Sequence, residues 1–93
     1  MELCKKKRAL LTFLGKEYQE KVIDMEPCVY RDLGDFDIEI SGGFYGQPFS
    51  IYVWQKRPHM EIIERYKHVN SGFEDIEVLL NRIALRYKCR EAV

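Results

Sequence analysis

The chain has 93 residues, of which 46% are hydrophobic and 13% aromatic, and its 15 basic residues are balanced by 15 acidic residues. This length supports one hydrophobic core, and the composition excludes an intrinsically disordered protein. The balanced charge does not favour nucleic acid, membrane surfaces or acidic ligands as partners, and no run approaches the roughly 20 apolar residues of a membrane span.

We therefore expect one soluble domain over residues 1–93. In chain order it has an N-terminal segment at 1–25, an antiparallel sheet at 27–69 and a C-terminal helix at 71–90. Such a chain has an α+β fold of two layers, in which a long C-terminal helix covers one face of a four-stranded meander.

The N-terminal segment contains apolar residues at helical spacing. They are Leu10, Leu11, Leu14, Tyr18 and Val22. The pattern favours a helix, although Gly15 interrupts it and the stretch RALLTFL would also fit an edge strand. Residues 1–16 carry five basic side chains and one acidic one. Basic residues at a chain end are typical of a solvated terminus, and contact with phosphates is the alternative.

The four predicted strands are residues 29–33, 35–41, 49–56 and 60–69. Gly34 joins the first two as a hairpin, a glycine-rich connection precedes the third, and Pro58 separates the third from the fourth. The last segment is interpreted as a strand rather than a helix because the short turn before it favours a meander.

The second of these strands carries an acidic residue at every other position. Asp35, Asp37 and Glu39 alternate with Phe36, Ile38 and Ile40. This alternation predicts one buried face and one solvated acidic face. Acid–base chemistry or cation binding is the alternative explanation of three carboxylates in a row.

The third strand has large apolar side chains on both faces. Phe49, Ile51 and Val53 alternate with Tyr52 and Trp54. Only one of these sets is needed for the core under a single helix. Tyr52 and Trp54 therefore indicate a second contact surface, with a protein favoured over nucleic acid as the partner.

The C-terminal helix is predicted to face the sheet with one apolar stripe, formed by Phe73, Ile76, Leu80, Ile83 and Tyr87. Ser71, three residues before Glu74, predicts its N-terminal cap. Val78, Leu85 and Cys89 fall on the opposite side of the helix. This second stripe indicates a further contact, either with the N-terminal helix or with a second subunit.

The three cysteines, Cys4, Cys28 and Cys89, do not form a C-x-x-C pair. An odd number of separated cysteines, in a chain without a recognisable export signal, indicates free thiols and a cytoplasmic location. His59 and His68 could join them as metal ligands, but none of these residues forms the close pairs typical of zinc sites. We therefore expect no metal and no cofactor.

No catalytic motif is evident. Cys28 could act as a nucleophile with His59 or His68 as its base, and the acidic strand could supply an acid and a base, but no spacing supports either arrangement. The glycine-rich connection at 41–48 lacks the Lys-Ser/Thr pair of a phosphate-binding loop. We therefore expect a protein that is not an enzyme.

Single-stranded nucleic acid is the alternative partner. Aromatic residues on an exposed sheet face could stack bases, and basic residues at the adjoining turn could bind phosphates. The aromatic candidates are Tyr30, Tyr52, Trp54 and Tyr66, and the basic candidates are Lys56, Arg57, Arg65 and Lys67. The carboxylates of Asp37 and Glu39 would repel a phosphate backbone on the same sheet, and this favours a protein partner.

The sequence thus predicts a small, non-enzymatic interaction domain that binds a protein and forms a homodimer, as inhibitors and adaptors of phages and mobile elements do. The candidate interaction residues are Tyr52, Trp54, Val78, Leu85, Asp35, Asp37 and Glu39. The acidic strand would complement a basic partner surface, and the apolar residues would form a two-fold interface.

Overall fold

The computed structural model describes the backbone of residues 2–91 and the side chains of residues 2–88. Helix α1 (Lys5–Leu14) precedes and helix α2 (Phe73–Glu91) follows the strands of a single antiparallel sheet. Its strands are β1 (Gln19–Ile23), β2 (Glu26–Asp32), β3 (Phe36–Gly42), β4 (Phe49–Gln55) and β5 (Glu61–Val69), paired in chain order. The predicted α+β class, meander and terminal helices are confirmed, but the sheet has five strands rather than four.

The additional strand, β1, lies in the segment that was expected to continue the N-terminal helix. Gly15 ends α1 with a positive φ of 85°, and its N–H donates to the carbonyl of Leu11 at 3.0 Å. The chain then returns as β1, which pairs with β2 at the edge of the sheet. A glycine that tolerates positive φ is a common helix end, so Gly15 is a stop signal rather than an interruption.

Both helices pack on the same face of the sheet, which we call the covered face. The buried side chains of its core come from α1, from β2 to β4 and from α2, and include Leu10, Val29, Ile38, Ile40, Phe49, Ile51, Val53, Ile76, Leu80 and Ile83. One ring contact joins the two helices, between Phe13 and Phe73 with centroids 5.8 Å apart, and another joins the sheet to α2, between Phe36 and Tyr87 at 4.6 Å.

The apolar stripe of α2 packs as predicted, but the start of the helix differs by one residue. The N–H of Ile76 donates to the carbonyl of Gly72 at 3.0 Å, and the helix begins at Phe73. Gly72 therefore occupies the N-cap position, and Ser71 lies one residue outside it. The predicted pairing of Ser71 with Glu74 as a capping box is wrong for this reason.

One residue of the basic N-terminus, Lys7, is buried rather than solvated, whereas Lys5, Arg8 and Lys16 are exposed as expected. The Lys7 side chain is fully buried, and its Nζ donates to Glu26 Oε2 at 2.8 Å and to the carbonyl of Pro27. The same Nζ lies 4.3 Å from the centroid of the Phe44 ring. Glu26 Oε2 also accepts the N–H of Gly42 at 2.7 Å, so one ion pair joins α1, β2 and the end of β3.

Neither described helix combines the length and the apolar character needed to cross a membrane.

Candidate interaction surface

The face of the sheet that points away from both helices is not covered by any described element, and we call it the open face. The strand register places Tyr30, Glu39, Tyr52 and Arg65 in one row across β2 to β5. Asp37, Trp54 and Ile62 form the neighbouring row. Aromatic, acidic and basic side chains therefore alternate between adjacent strands of the open face.

The carboxylates at the centre of the open face are buried. Asp37 is 6% exposed and Glu39 is 7% exposed, so the expectation of a solvated acidic face is wrong at these two positions. The reason is the identity of their neighbours across the strands, because Glu39 lies between Tyr30 and Tyr52, and Asp37 lies beside Trp54. Aromatic side chains flank Glu39 on both adjacent strands and Asp37 on one, where its other neighbour is Asp32, and they reduce the access of water to both carboxylates. Asp35 lies before β3 in the turn and stays partly exposed.

The two buried carboxylates differ in their partners. Asp37 Oδ1 lies 2.9 Å from Nζ of Lys56, which also lies 2.9 Å from Asp32 Oδ1. Glu39 Oε1 accepts the indole N–H of Trp54 at 2.8 Å. Among the described side chains, no lysine or arginine lies within 4.0 Å of a Glu39 oxygen. Glu39 is thus a buried acid with a neutral hydrogen-bond donor and no cationic partner.

The acidity of Glu39 reflects these surroundings. Burial raises the pKa of its carboxyl group, and the Trp54 hydrogen bond opposes this effect. The charges of Asp24 and Glu26 raise the pKa further, and only the charge of Lys7 acts in the opposite direction among the remaining causes. The attraction of a cation brought to Glu39 from outside would therefore offset the repulsion from Asp24 and Glu26 and part of the desolvation cost.

A groove of about 360 Å³ opens on this face. It is lined by Lys21, Val22, Ile23, Asp24, Tyr30, Asp37, Trp54 and Met60. Strand β1 forms one side and the turn before β5 contributes Met60, while Tyr30, Asp37 and Trp54 come from the three central strands. A mostly apolar cleft with a few polar groups is typical of a binding site, and this volume lies at the lower end of the range for small ligands.

One cation already lies in the groove. Nζ of Lys21 is 4.2 Å from the centroid of the Tyr30 ring, within the distance of a cation–π interaction. Tyr30 itself is 4% exposed. Burial, followed by a hydrogen bond to Asp37 and the charge of that carboxylate, raises the pKa of the Tyr30 hydroxyl, which is therefore neutral.

The residues predicted for nucleic-acid binding are divided between several places. Tyr66 packs against the core on the covered face, and its hydroxyl donates to Glu64, which also accepts two hydrogen bonds from Arg86 at 2.7 and 2.8 Å. Lys56 is bound to the two aspartates described above, and Arg57 lies 3.1 Å from Asp35.

The other predicted basic residues, Arg65 and Lys67, are exposed on β5. Of the aromatic residues, only Tyr52 and Trp54 remain half-exposed on the open face.

The second predicted contact stripe is on the other side of the domain. Val78 is 51% exposed and Leu85 is 68% exposed, and both lie on the side of α2 opposite its buried stripe. Helix α1 contacts α2 through Phe13 and Phe73 and leaves them uncovered. The open face and the Val78–Leu85 stripe cannot therefore belong to one continuous surface. The side chain of Cys89 lies outside the described residues.

The cysteine and metal chemistry that the sequence leaves open finds little support in the geometry. Burial, with the charges of Glu39 and Glu26, raises the pKa of Cys28 to about 12, so its thiol is protonated at neutral pH and is a poor nucleophile. Within the described part of the chain, no three His, Cys, Asp or Glu side chains come together as a metal site.

The groove contains residues that the sequence pattern did not single out, namely Lys21, Ile23, Asp24 and Met60. The sequence of β1 shows no alternation of apolar and polar residues that would mark Lys21 and Ile23 as strand residues, and the segment fits the helical spacing instead.

The chain matches no protein-family model, no curated protein and no solved structure.

Proposed function

We propose that the protein is a small non-enzymatic interaction module that binds a partner protein through the open face of its sheet. The observation that supports this most directly is Glu39, a carboxylate that is 7% exposed and lacks a cationic partner among the described residues. An unpaired buried charge costs stability, and a partner that supplies the missing cation would recover part of that cost. The protein thus serves as an adaptor or inhibitor for a partner with a basic surface.

The composition of the open face supports a protein partner. Aromatic residues are enriched in protein interfaces, where Tyr and Trp contribute much of the binding energy. Tyr52 and Trp54 are half-exposed, and the groove beside Trp54 can receive a side chain of the partner. The indole of Trp54 is held by Glu39 before any partner binds, so little conformational entropy is lost there on binding.

Single-stranded nucleic acid remains the second candidate. Tyr52 next to Arg65 on the open face favours it, because this pair combines a stacking surface with a cation. The buried carboxylates of Asp37 and Glu39 in the same rows oppose it, because they repel phosphates. The protein partner is for this reason the preferred proposal.

The experiment uses Trp54, the single tryptophan of the chain, as an intrinsic probe of the open face. Twelve-residue peptides selected from a random displayed library are titrated into the protein, and Trp54 fluorescence is recorded. We expect selected peptides to change the fluorescence saturably and Tyr52→Ala to weaken their binding at least tenfold. The control, Leu85→Ala, alters an exposed residue on the other side of the domain and leaves the affinity unchanged.

Two results would contradict the proposal. Peptides that bind Tyr52→Ala as tightly as the unmodified protein use another surface. A salt-dependent change in Trp54 fluorescence on adding oligothymidylate, without any peptide binding, favours the nucleic-acid alternative, since neutralisation of phosphates gives a strong salt dependence.

A second surface supports self-association. Val78 and Leu85 stay exposed on α2, and burying apolar area contributes about 25 cal/mol per Å². A two-fold interface would pair this stripe with its copy in a second subunit and leave both open faces free.

A further inference from the structure

The groove on the open face contains two aromatic rings, Tyr30 and Trp54, and two carboxylates, Asp24 and Asp37. The indole N–H of Trp54 donates to Glu39, which fixes the orientation of that ring. Aromatic faces next to carboxylates form a site that attracts a cation through the ring and through the charge.

Lys21 shows that this site accepts a cation. Its Nζ lies 4.2 Å from the Tyr30 ring centroid, and no described carboxylate lies within 4.0 Å of that Nζ. Its side chain is exposed and belongs to β1, an edge strand. An exposed lysine held by a single cation–π contact is weakly bound, so another cation can displace it.

Lysine reaches the ring, but it does not pair with the carboxylates that line the groove. These are Asp24 and Asp37, and neither has an oxygen within 4.0 Å of Lys21 Nζ. Arginine combines the two requirements, because its planar guanidinium stacks on aromatic faces and also donates several hydrogen bonds to carboxylates. It is also more weakly hydrated than an ammonium group, and this lowers the cost of entering a mostly apolar groove.

We propose that the groove is the binding site for an arginine side chain of the partner protein, and that Lys21 is an internal competitor that occupies it in the free protein. This inference rests on the proposed function and adds the chemical class of the ligand. It also explains how the site would select its ligand. A partner segment without a guanidinium group either leaves Lys21 on the Tyr30 ring or displaces it without forming a cation–π contact in its place.

The test uses two short peptides, acetyl-Gly-Arg-Gly-amide and acetyl-Gly-citrulline-Gly-amide, which have nearly the same shape and differ in charge. Binding is followed by NMR through the indole N–H signal of Trp54, which reports on the hydrogen bond to Glu39. We expect the arginine peptide to shift this signal saturably and the citrulline peptide to leave it unchanged.

Three variants locate the site. Lys21→Met removes the competitor and tightens binding of the arginine peptide about two- to fivefold, the range that corresponds to one exposed cation–π contact. Lys5→Met makes the same change of charge on an exposed residue of α1 and leaves the affinity within twofold of the original. Asp24→Asn removes a charge from an exposed residue that lines the groove, and it weakens binding.

The outcomes separate the two proposals. Equal shifts with both peptides, or equal affinities of Lys21→Met and Lys5→Met, overturn the arginine site and the role of Lys21. If the displayed peptides still bind the unmodified protein more tightly than Tyr52→Ala, the proposed function stands without the arginine site. The remaining NMR spectrum shows in the same experiment whether each variant keeps its fold.

Discussion

Replacing Lys7 by methionine is expected to lower the free energy of unfolding by about 3 kcal/mol. Methionine keeps most of the apolar stem that packs in the interior, but it has no ammonium group. The change therefore removes the contacts of Nζ while it preserves most of the packing, and it isolates the contribution of the ion pair that anchors α1.

The magnitude follows from three contacts. Nζ of Lys7 is 2.8 Å from Glu26 Oε2, donates to the carbonyl of Pro27, and lies 4.3 Å from the centroid of the Phe44 ring. A hydrogen bond to a charged group contributes about 1.5–3 kcal/mol, and removing one partner of a buried ion pair costs about 3–5 kcal/mol. The Glu26 side chain is 31% exposed, so water can solvate it after the change, and the lower end of that range applies.

The assay is urea denaturation at pH 7, followed by circular dichroism. Lys5→Met is the matched control, because Lys5 is an exposed lysine in the same helical turn, and its replacement should alter stability by no more than about 0.5 kcal/mol. If the two variants unfold at the same urea concentration, the buried ion pair does not stabilise the fold, and α1 is held by its apolar contacts alone.

Two further predictions concern the surfaces. Because burial raises the pKa of Glu39 above 4.5, the folded protein binds that proton more tightly than the unfolded chain, so stability from this group is lost as pH rises above 4.5. Glu39→Gln should therefore gain stability relative to the unmodified protein between pH 4 and pH 7 in urea titrations, and parallel pH curves would refute this. For self-association, sedimentation should show a dimer that Leu85→Glu converts to a monomer and that Glu77→Lys leaves intact, whereas a monomeric unmodified protein at high micromolar concentration would contradict the proposal.

Periodicity predicted the elements that have one buried face. Helix α2 and strands β3 and β4 could be identified because their apolar residues recur at the spacing of the element, and the core then selects one face. Strand β1 could not be identified in this way, because it lies at the edge of the sheet and four of its five side chains are exposed. Its only apolar residues, Val22 and Ile23, are adjacent and give no alternation.

The candidate site was harder to predict than the fold because it depends on neighbours across strands. Alternation correctly placed Asp37 and Glu39 on the face away from the core, but their burial results from Tyr30, Tyr52 and Trp54 on adjacent strands. The register between strands decides which side chains become neighbours, and the sequence of a single strand does not specify that register.

The same limitation applies to Lys7. Its charge is typical of a solvated position, and its burial depends on a carboxylate 19 residues away. The spacing of α1 alone gives no indication of that partner.

Each strand of the sheet pairs with its neighbours in the chain, so the meander can form one hairpin at a time. Closing short loops costs little conformational entropy, and chains dominated by such local contacts fold quickly. The helices are different, because Phe13 near one end of the chain contacts Phe73 near the other. Docking of α1 beside α2 is therefore the step with the largest loop-closure cost, and the covered face of the sheet is the template on which the two ends of the chain meet.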